Sequence, residues 1–179
     1  MDIGKQKWTG LQDEIFALLC KHAGDKLTQR QIAQFLSVSP TIIATSLKLL
    51  KKHDLANIEK NRSMNLVSFN RDGHLAIGLK RVYNLRVIYL SGLVEYLEET
   101  NPGCAAILFG SFSRGEDTVK SDVDIAVVGG KGKNLNLGEY EKKLMRKIII
   151  NYYPSFKDIH TYLKSNILSG IVLSGVIEL

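Results

Sequence analysis

Residues 110–124 read GSFSRGEDTVKSDVD, and this stretch decides how the C-terminal part of the chain folds. It lies between two apolar runs, CAAILF at 104–109 and IAVV at 125–128, both of the length and composition of buried strands. Strand alternation sends Asp122 and Asp124 to one face, about 7 Å apart. Two like charges so placed repel unless a cation lies between them, and a hard divalent ion held by oxygens, magnesium bridging substrate phosphates, fits that need. Gly110 and Ser111 fall where the first strand turns into a short helix. A glycine there lets a phosphate approach the backbone, and Ser111 adds a hydroxyl and an N–H at a helix start, where partial positive charge favours anions.

Composition frames this reading. The chain has 179 residues, 45% hydrophobic and 23% charged, with a net charge of +6. That is the profile of a globular protein with room for one large domain or two small ones, and two are expected here. No stretch approaches the ~20 apolar residues that span a bilayer, and the first residues lack the apolar core of a signal peptide. No membrane partner and a cytoplasmic location are therefore expected. Cys20 and Cys104 lack CxxC spacing, which argues for buried thiols over a zinc site. The four histidines (His22, His53, His74 and His160) are scattered, so any metal must be held by oxygen.

Outward toward the N-terminus, the periodicity predicts a helix over LQDEIFALLCKH (11–22), with Gly24 as its stop. A second helix covers TQRQIAQFLSV, where Thr28 caps the start and Gln31 sits three residues on as in a capping box. A third follows Ser39-Pro40, with Ile43, Leu47 and Leu50 on one stripe. Next, NIEKNRSMNLVSFN (57–70) reads as two short strands around a polar turn. Residues 40–71 hold six Lys or Arg against two acids, which points to an anionic partner. The order of elements, and QIAQFLSVSPTIIATSLKLLKKHDL (31–55) in particular, resembles a winged helix-turn-helix. That resemblance implies binding of double-stranded DNA, with Thr41, Thr45, Ser46 and Lys48 facing the duplex and Lys60 and Arg62 riding on the wing. No Arg, Asn or Gln stands on that reading face, so a protein-contact surface is the alternative.

Residues 72–99 stay helical in pattern, with Leu75, Leu79, Val82, Leu85, Tyr89, Leu93 and Tyr96 at spacings of three and four. Gly78 and Gly92 mark bends, so two helices or one long one are expected, and Asn101-Pro102-Gly103 ends the run. The apolar stripe suggests a homodimer.

The segment GSFSRGEDTVKSDVDIAVV (110–128) resembles the signature of minimal nucleotidyltransferases of the DNA polymerase beta superfamily. It carries a strand, Gly-Ser, Arg-Gly, a fixed spacer and Ser-Asp-x-Asp leading a second strand. A helix at NLGEYEKKLMRK, a strand at KIIINYY and a final helix with YLKSNILSGIVLSG continue in the family's order. The resemblance implies an α+β chain with a winged helix domain at 8–71, a helical connector at 72–102 and a transferase domain at 103–179. It implies that Gly110 and Ser111 hold the terminal phosphates of a nucleoside triphosphate, ATP being the expected donor, that Arg114 touches phosphate or braces the loop, and that Asp122 and Asp124 ligate magnesium. The reaction implied is transfer of a nucleoside monophosphate to an acceptor, with pyrophosphate leaving. Stand-alone members of the family are often antitoxins that adenylylate a partner, which makes a protein acceptor a candidate. The family carries a third aspartate on the next strand, where this chain has Ile149. Isoleucine cannot activate an acceptor, and Asn151, two residues on, cannot accept a proton. Asp158 is the nearest carboxylate available as a stand-in. A second reading is therefore a DNA-binding regulator whose degenerate transferase domain senses nucleotide.

Overall fold

The computed structural model describes residues 8–61 and 64–177. They fall into two compact units that divide after Ile77.

The first unit opens with α1 (Gly10–Lys21), started by a capping box between Thr9 and Gln12. A two-residue strand, β1 (Leu27–Thr28), leads into α2 (Gln29–Phe35), and α3 (Pro40–Lys52) follows. Thr28 and Gln31 form the expected capping box. The Gln31 N–H donates to Thr28 Oγ1 (3.2 Å), and the Thr28 N–H donates to Gln31 Oε1 (2.8 Å). Ser39 caps α3 and Pro40 occupies its first position, as the sequence predicts. The hairpin forms from β2 (Ala56–Asn61) and β3 (Met64–Phe69), with Lys60 opposite Asn65. β1 joins β3 on the other side, so the sheet has three strands in the order β1-β3-β2. Two residues are too few to show a strand alternation, and β1 was not legible in the sequence for that reason. Ile15, Leu19, Ile32, Ile43, Leu47, Leu50, Leu55 and Val67 form the buried core beneath these elements. This is a winged helix: three helices and a wing.

α4 (His74–Ser91) carries the division between the units, and α5 (Leu93–Thr100) follows. The expected bend falls at Gly92, whose φ of +82° lies in the left-handed region that glycine adopts without steric cost. The buried face of α4 is not the one the apolar periodicity suggests. Val82 and Leu90 are 64% and 73% exposed, while Ala76, Lys80, Asn84 and Ile88 make the buried row.

The second unit is a four-stranded sheet in the order β6-β5-β4-β7. β4 (Ala105–Phe109) pairs antiparallel with β5 (Val123–Val128), and β5 pairs parallel with β6 (Ile148–Tyr153). One sheet face packs Val123, Ile125, Val127 and Ile148 against Ile88, Leu93, Val94 and Leu97 and against Leu144 of α7 (Gly138–Leu144). The other packs Ile107, Phe109, Ala126 and Val128 against Phe156, Ile159 and Ile167, the last from α8 (Thr161–Leu168). The stretch after α8 departs from expectation. Ile171–Ser174 is not helix but a fourth strand, β7, antiparallel to β4. Gly170 explains the change of direction, because a Cβ there would sit 2.4 Å from the Leu108 carbonyl, and the β-branched pair that follows suits a strand.

Thr28→Ala should remove the α2 cap and lower stability by about 1 kcal/mol, read as a shift in the urea unfolding midpoint.

Candidate functional site

Strand pairing puts Phe109 opposite Asp124, so the turn that leaves β4 lies beside the second aspartate. Gly110 has a φ of +75°, and a Cβ at that position would meet Asp124 Oδ2 at 2.5 Å. Only glycine allows this approach of backbone to carboxylate. α6 (Gly110–Arg114) then makes one short helical turn with Ser111 in its first part, closed by Gly115 at φ +77°.

The loop back to β5 is tied at several points. Ser113 Oγ donates to the Gly110 carbonyl (2.9 Å), and the Glu116 N–H donates to the Ser111 carbonyl (3.0 Å). The Thr118 N–H donates to Ser121 Oγ (3.0 Å), forming the turn that delivers Asp122. Arg114 donates through Nε to Glu116 Oε2 (2.7 Å), so it braces the loop.

Asp122 is exposed and Asp124 half-buried. Burial, and then the charge of Asp122, push the Asp124 carboxyl above its ordinary value of 3.8. A cation between the two would relieve both effects, and the carboxylate oxygens are the donors that magnesium prefers. The pair therefore fits the ion.

The residue that strand pairing sets beside Asp124 is apolar. In the parallel pairing of β5 with β6, Ile149 is the direct partner of Asp124, and Asn151 is the partner of Ala126. Asp158 does not join them. It lies in a 3-10 turn (Phe156–Asp158) past the far end of β6, accepting from Ser155 Oγ at 2.8 Å. The four steps along the strand from Ile149 to Tyr153 alone carry it about 13 Å away from the pair. Among the described residues no group of three His, Cys, Asp or Glu could hold a metal.

Two depressions flank this sheet. One, of about 550 Å³, includes Asp122 and is lined by Lys120, Lys142, Arg146 and Lys147 together with Glu141. A larger one, of about 640 Å³, lies at the opposite end, around Gly103, Val128, Ser155 and Gly175, away from both aspartates.

Sequence reasoning missed a buried charged cluster behind the loop. Asp117 is 2% exposed, and Lys80, at 0%, forms an ion pair with its Oδ1. Asn84 Nδ2 donates to the same oxygen (2.7 Å) and to the Phe112 carbonyl (2.8 Å). Arg146, 7% exposed, approaches Asp117 Oδ2 at 3.5 Å. The available signal was Lys80 and Asn84, four residues apart and so on one face of α4.

In the first unit, Thr41, Thr45 and Lys48 share the exposed side of α3 with Ile42, which is 50% exposed. Ser46 does not share it. It is 7% exposed, turned inward beside Leu47 and Leu50, so it cannot face a duplex. Lys60 is exposed near the hairpin tip, and Arg62 lies outside the described residues.

Residues 90–174, just under half of the chain, match a family model described as a nucleotidyltransferase domain. The C-terminal part is thus similar to nucleotidyltransferase domains. The N-terminal part is similar to solved winged helix regulators. The adhesin competence repressor AdcR from Streptococcus pyogenes matches at 20% identity over 54% of this chain and 70% of that one, with a TM-score of 0.41. A point mutant of ZitR from Lactococcus lactis matches at 20% identity over 54% and 64%, TM-score 0.40. The same protein, described as a zinc-responsive MarR family member, matches at 22% over 53% and 62%, TM-score 0.38. Likenesses of this degree bear on nothing beyond the fold. No curated protein matches the sequence. Among the described residues no single helix is long and apolar enough to cross a membrane.

Two outcomes test the site. Gly110→Ala should cost more than about 1 kcal/mol, from the positive φ alone, as measured by thermal unfolding. For Asp124 the folded-state pKa is raised, so its contribution to stability is complete below 3.8 and lost as pH rises through the higher folded value. In chelator, Asp124→Asn should therefore melt above wild type at pH 7, with the gap closing toward pH 4. Magnesium should raise the wild-type midpoint and leave the variant's unchanged.

Proposed function

We propose that this protein is a magnesium-dependent nucleotidyltransferase that moves a nucleoside monophosphate from a nucleoside triphosphate, ATP being the expected donor, to an acceptor. The observation that carries this reading is the close approach of Gly110 to Asp124, which combines an open phosphate-binding turn with a paired carboxylate site.

The roles follow from the geometry. Gly110 leaves the backbone open to an approaching phosphate, and Ser111 offers a hydroxyl and an N–H to its oxygens. Asp122 and Asp124 would hold the ion, which neutralises charge on the phosphate oxygens when bound. In the transfer an acceptor oxygen bonds to the α-phosphorus, the bond to the β-phosphate breaks, and pyrophosphate leaves. Lys120, Lys142 and Lys147, beside Asp122, favour an anionic substrate or product. A protein acceptor remains part of the proposal, as does a cytoplasmic location. So does the division into a winged helix at 8–71, a connector at 72–102 and a transferase at 103–179. A homodimer would use the α4 face that exposes Val82, Tyr89 and Leu90.

A second reading, a DNA-binding regulator that senses nucleotide without transferring it, is favoured by one observation. Ile149 stands directly beside Asp124, where a proton acceptor would be needed. In this reading Thr41, Thr45 and Lys48, with Lys60 on the wing, contact double-stranded DNA.

Incubation with α-labelled ATP and magnesium should label the chain or a co-purified partner, and Asp122→Asn with Asp124→Asn should return the label to background. Equal labelling of wild type and double variant would refute the transferase. Ile149→Asp should raise the transfer rate by about 10²-fold by supplying the missing proton acceptor. For the second reading, the logarithm of DNA affinity should fall linearly with that of salt concentration, and Lys60→Ala should reduce the slope by about one. Salt-independent binding would count against it.

A further inference from the structure

Asp117 occupies an unusual position for a carboxylate. It lies in the middle of the loop that joins the phosphate turn to the metal pair, five residues before Asp122, and almost no solvent reaches it. Its partners come from two directions. Lys80 and Asn84 reach it from α4, and Arg146 reaches it from the residues just ahead of β6. Asn84 also holds the Phe112 carbonyl, in the middle of α6 and next to Ser111. Three stretches are thus pinned to one buried anion. They are the phosphate turn, the loop leading to Asp122, and the entry to the strand that sets Ile149 beside Asp124.

Burying three charges costs desolvation, and apolar residues of equal volume would hold a core at least as well. What an ion pair with oriented hydrogen bonds adds is a fixed geometry, which a phosphate and metal site requires to within a fraction of an ångström. Lys80 and Asn84 also precede residues 90–174, the stretch that matches the nucleotidyltransferase domain. The matched segment therefore draws its support from the part of α4 that precedes it.

We propose that Lys80 and Asn84, acting through Asp117, are positioning residues for nucleotide binding at the Gly110–Asp124 loop. Neither touches the nucleotide. The inference rests on the transferase reading of that loop, or on its nucleotide-sensing form, since both need the bound phosphates placed.

The test is titration of the full chain with each of the four magnesium nucleoside triphosphates, alongside thermal unfolding. Lys80→Met with Asp117→Leu replaces the ion pair by apolar side chains of similar size. Because Arg146 then faces an apolar side chain, the melting midpoint should fall by several degrees, and nucleotide affinity should fall by about tenfold or more because the loop is no longer oriented. A folded double variant that binds as wild type does would overturn the proposal and leave the transferase reading intact. If wild type binds none of the four nucleotides, both fall together. Should the double variant fail to fold, Asn84→Ala decides. It should weaken binding by roughly threefold or more and speed amide hydrogen exchange at 110–121 while the β4 and β5 amides stay protected. Unchanged affinity, or exchange raised uniformly across the sheet, would reduce the cluster to a packing role.

Discussion

The carboxylate of Asp124 lies where a side chain on residue 110 would have to go, and much of the C-terminal unit follows from keeping that contact. It requires glycine at 110 with a positive φ, a strand register that pairs Phe109 with Asp124, and a tight turn between the two strands. It also leaves Asp124 half-buried next to the charge of Asp122, which raises the cost of its ionised form. A protein selected for stability alone would not keep two carboxylates there. A bound cation would relieve their repulsion, so under the proposed function the site gives up stability of the empty fold for affinity.

The loop between the strands carries its own restraint. Hydroxyls of Ser113 and Ser121 bond to backbone groups, and Arg114 bonds to Glu116 at the surface. Beneath them, Lys80, Asn84 and Arg146 converge on Asp117. Surface pairs such as Arg114 with Glu116 contribute little in high dielectric. The buried cluster differs, because removing one member strands a charge away from water. The loop's buried polar contacts therefore join its own Asp117 to α4 and to Arg146.

Much of this architecture was legible in local patterns. The capping box of Thr28 and Gln31, the Ser39-Pro40 start and the polar hairpin turn are signals contained within a few residues, and each produced the expected element. The strands on either side of 110–124 were equally plain. Misreadings arose where partners lie far apart in the chain. Ile171–Ser174 continues a helical pattern locally and becomes a strand because β4 offers an open edge. Ser46 falls between the exposed and buried rows of α3, and only packing against the core decides its side. In α4 the apolar count pointed to one face, while the buried row carries Lys80 and Asn84. Periodicity assumes that buried means apolar, and a satisfied ion pair violates that assumption.

The chemistry shows the same separation. The sequence by itself determined the spacing of Gly110, Ser111, Asp122 and Asp124, because strand alternation and one tight turn set it. It also determined that residue 149 is an isoleucine. Tertiary structure alone decided that Ile149 stands directly beside Asp124 and that Asp158 lies past the other end of the sheet, because strand register is a long-range property. It also decided that Asp117 is the buried anchor of the loop, since its partners stand 37, 33 and 29 residues away along the chain and meet it only once the sheet and α4 have packed.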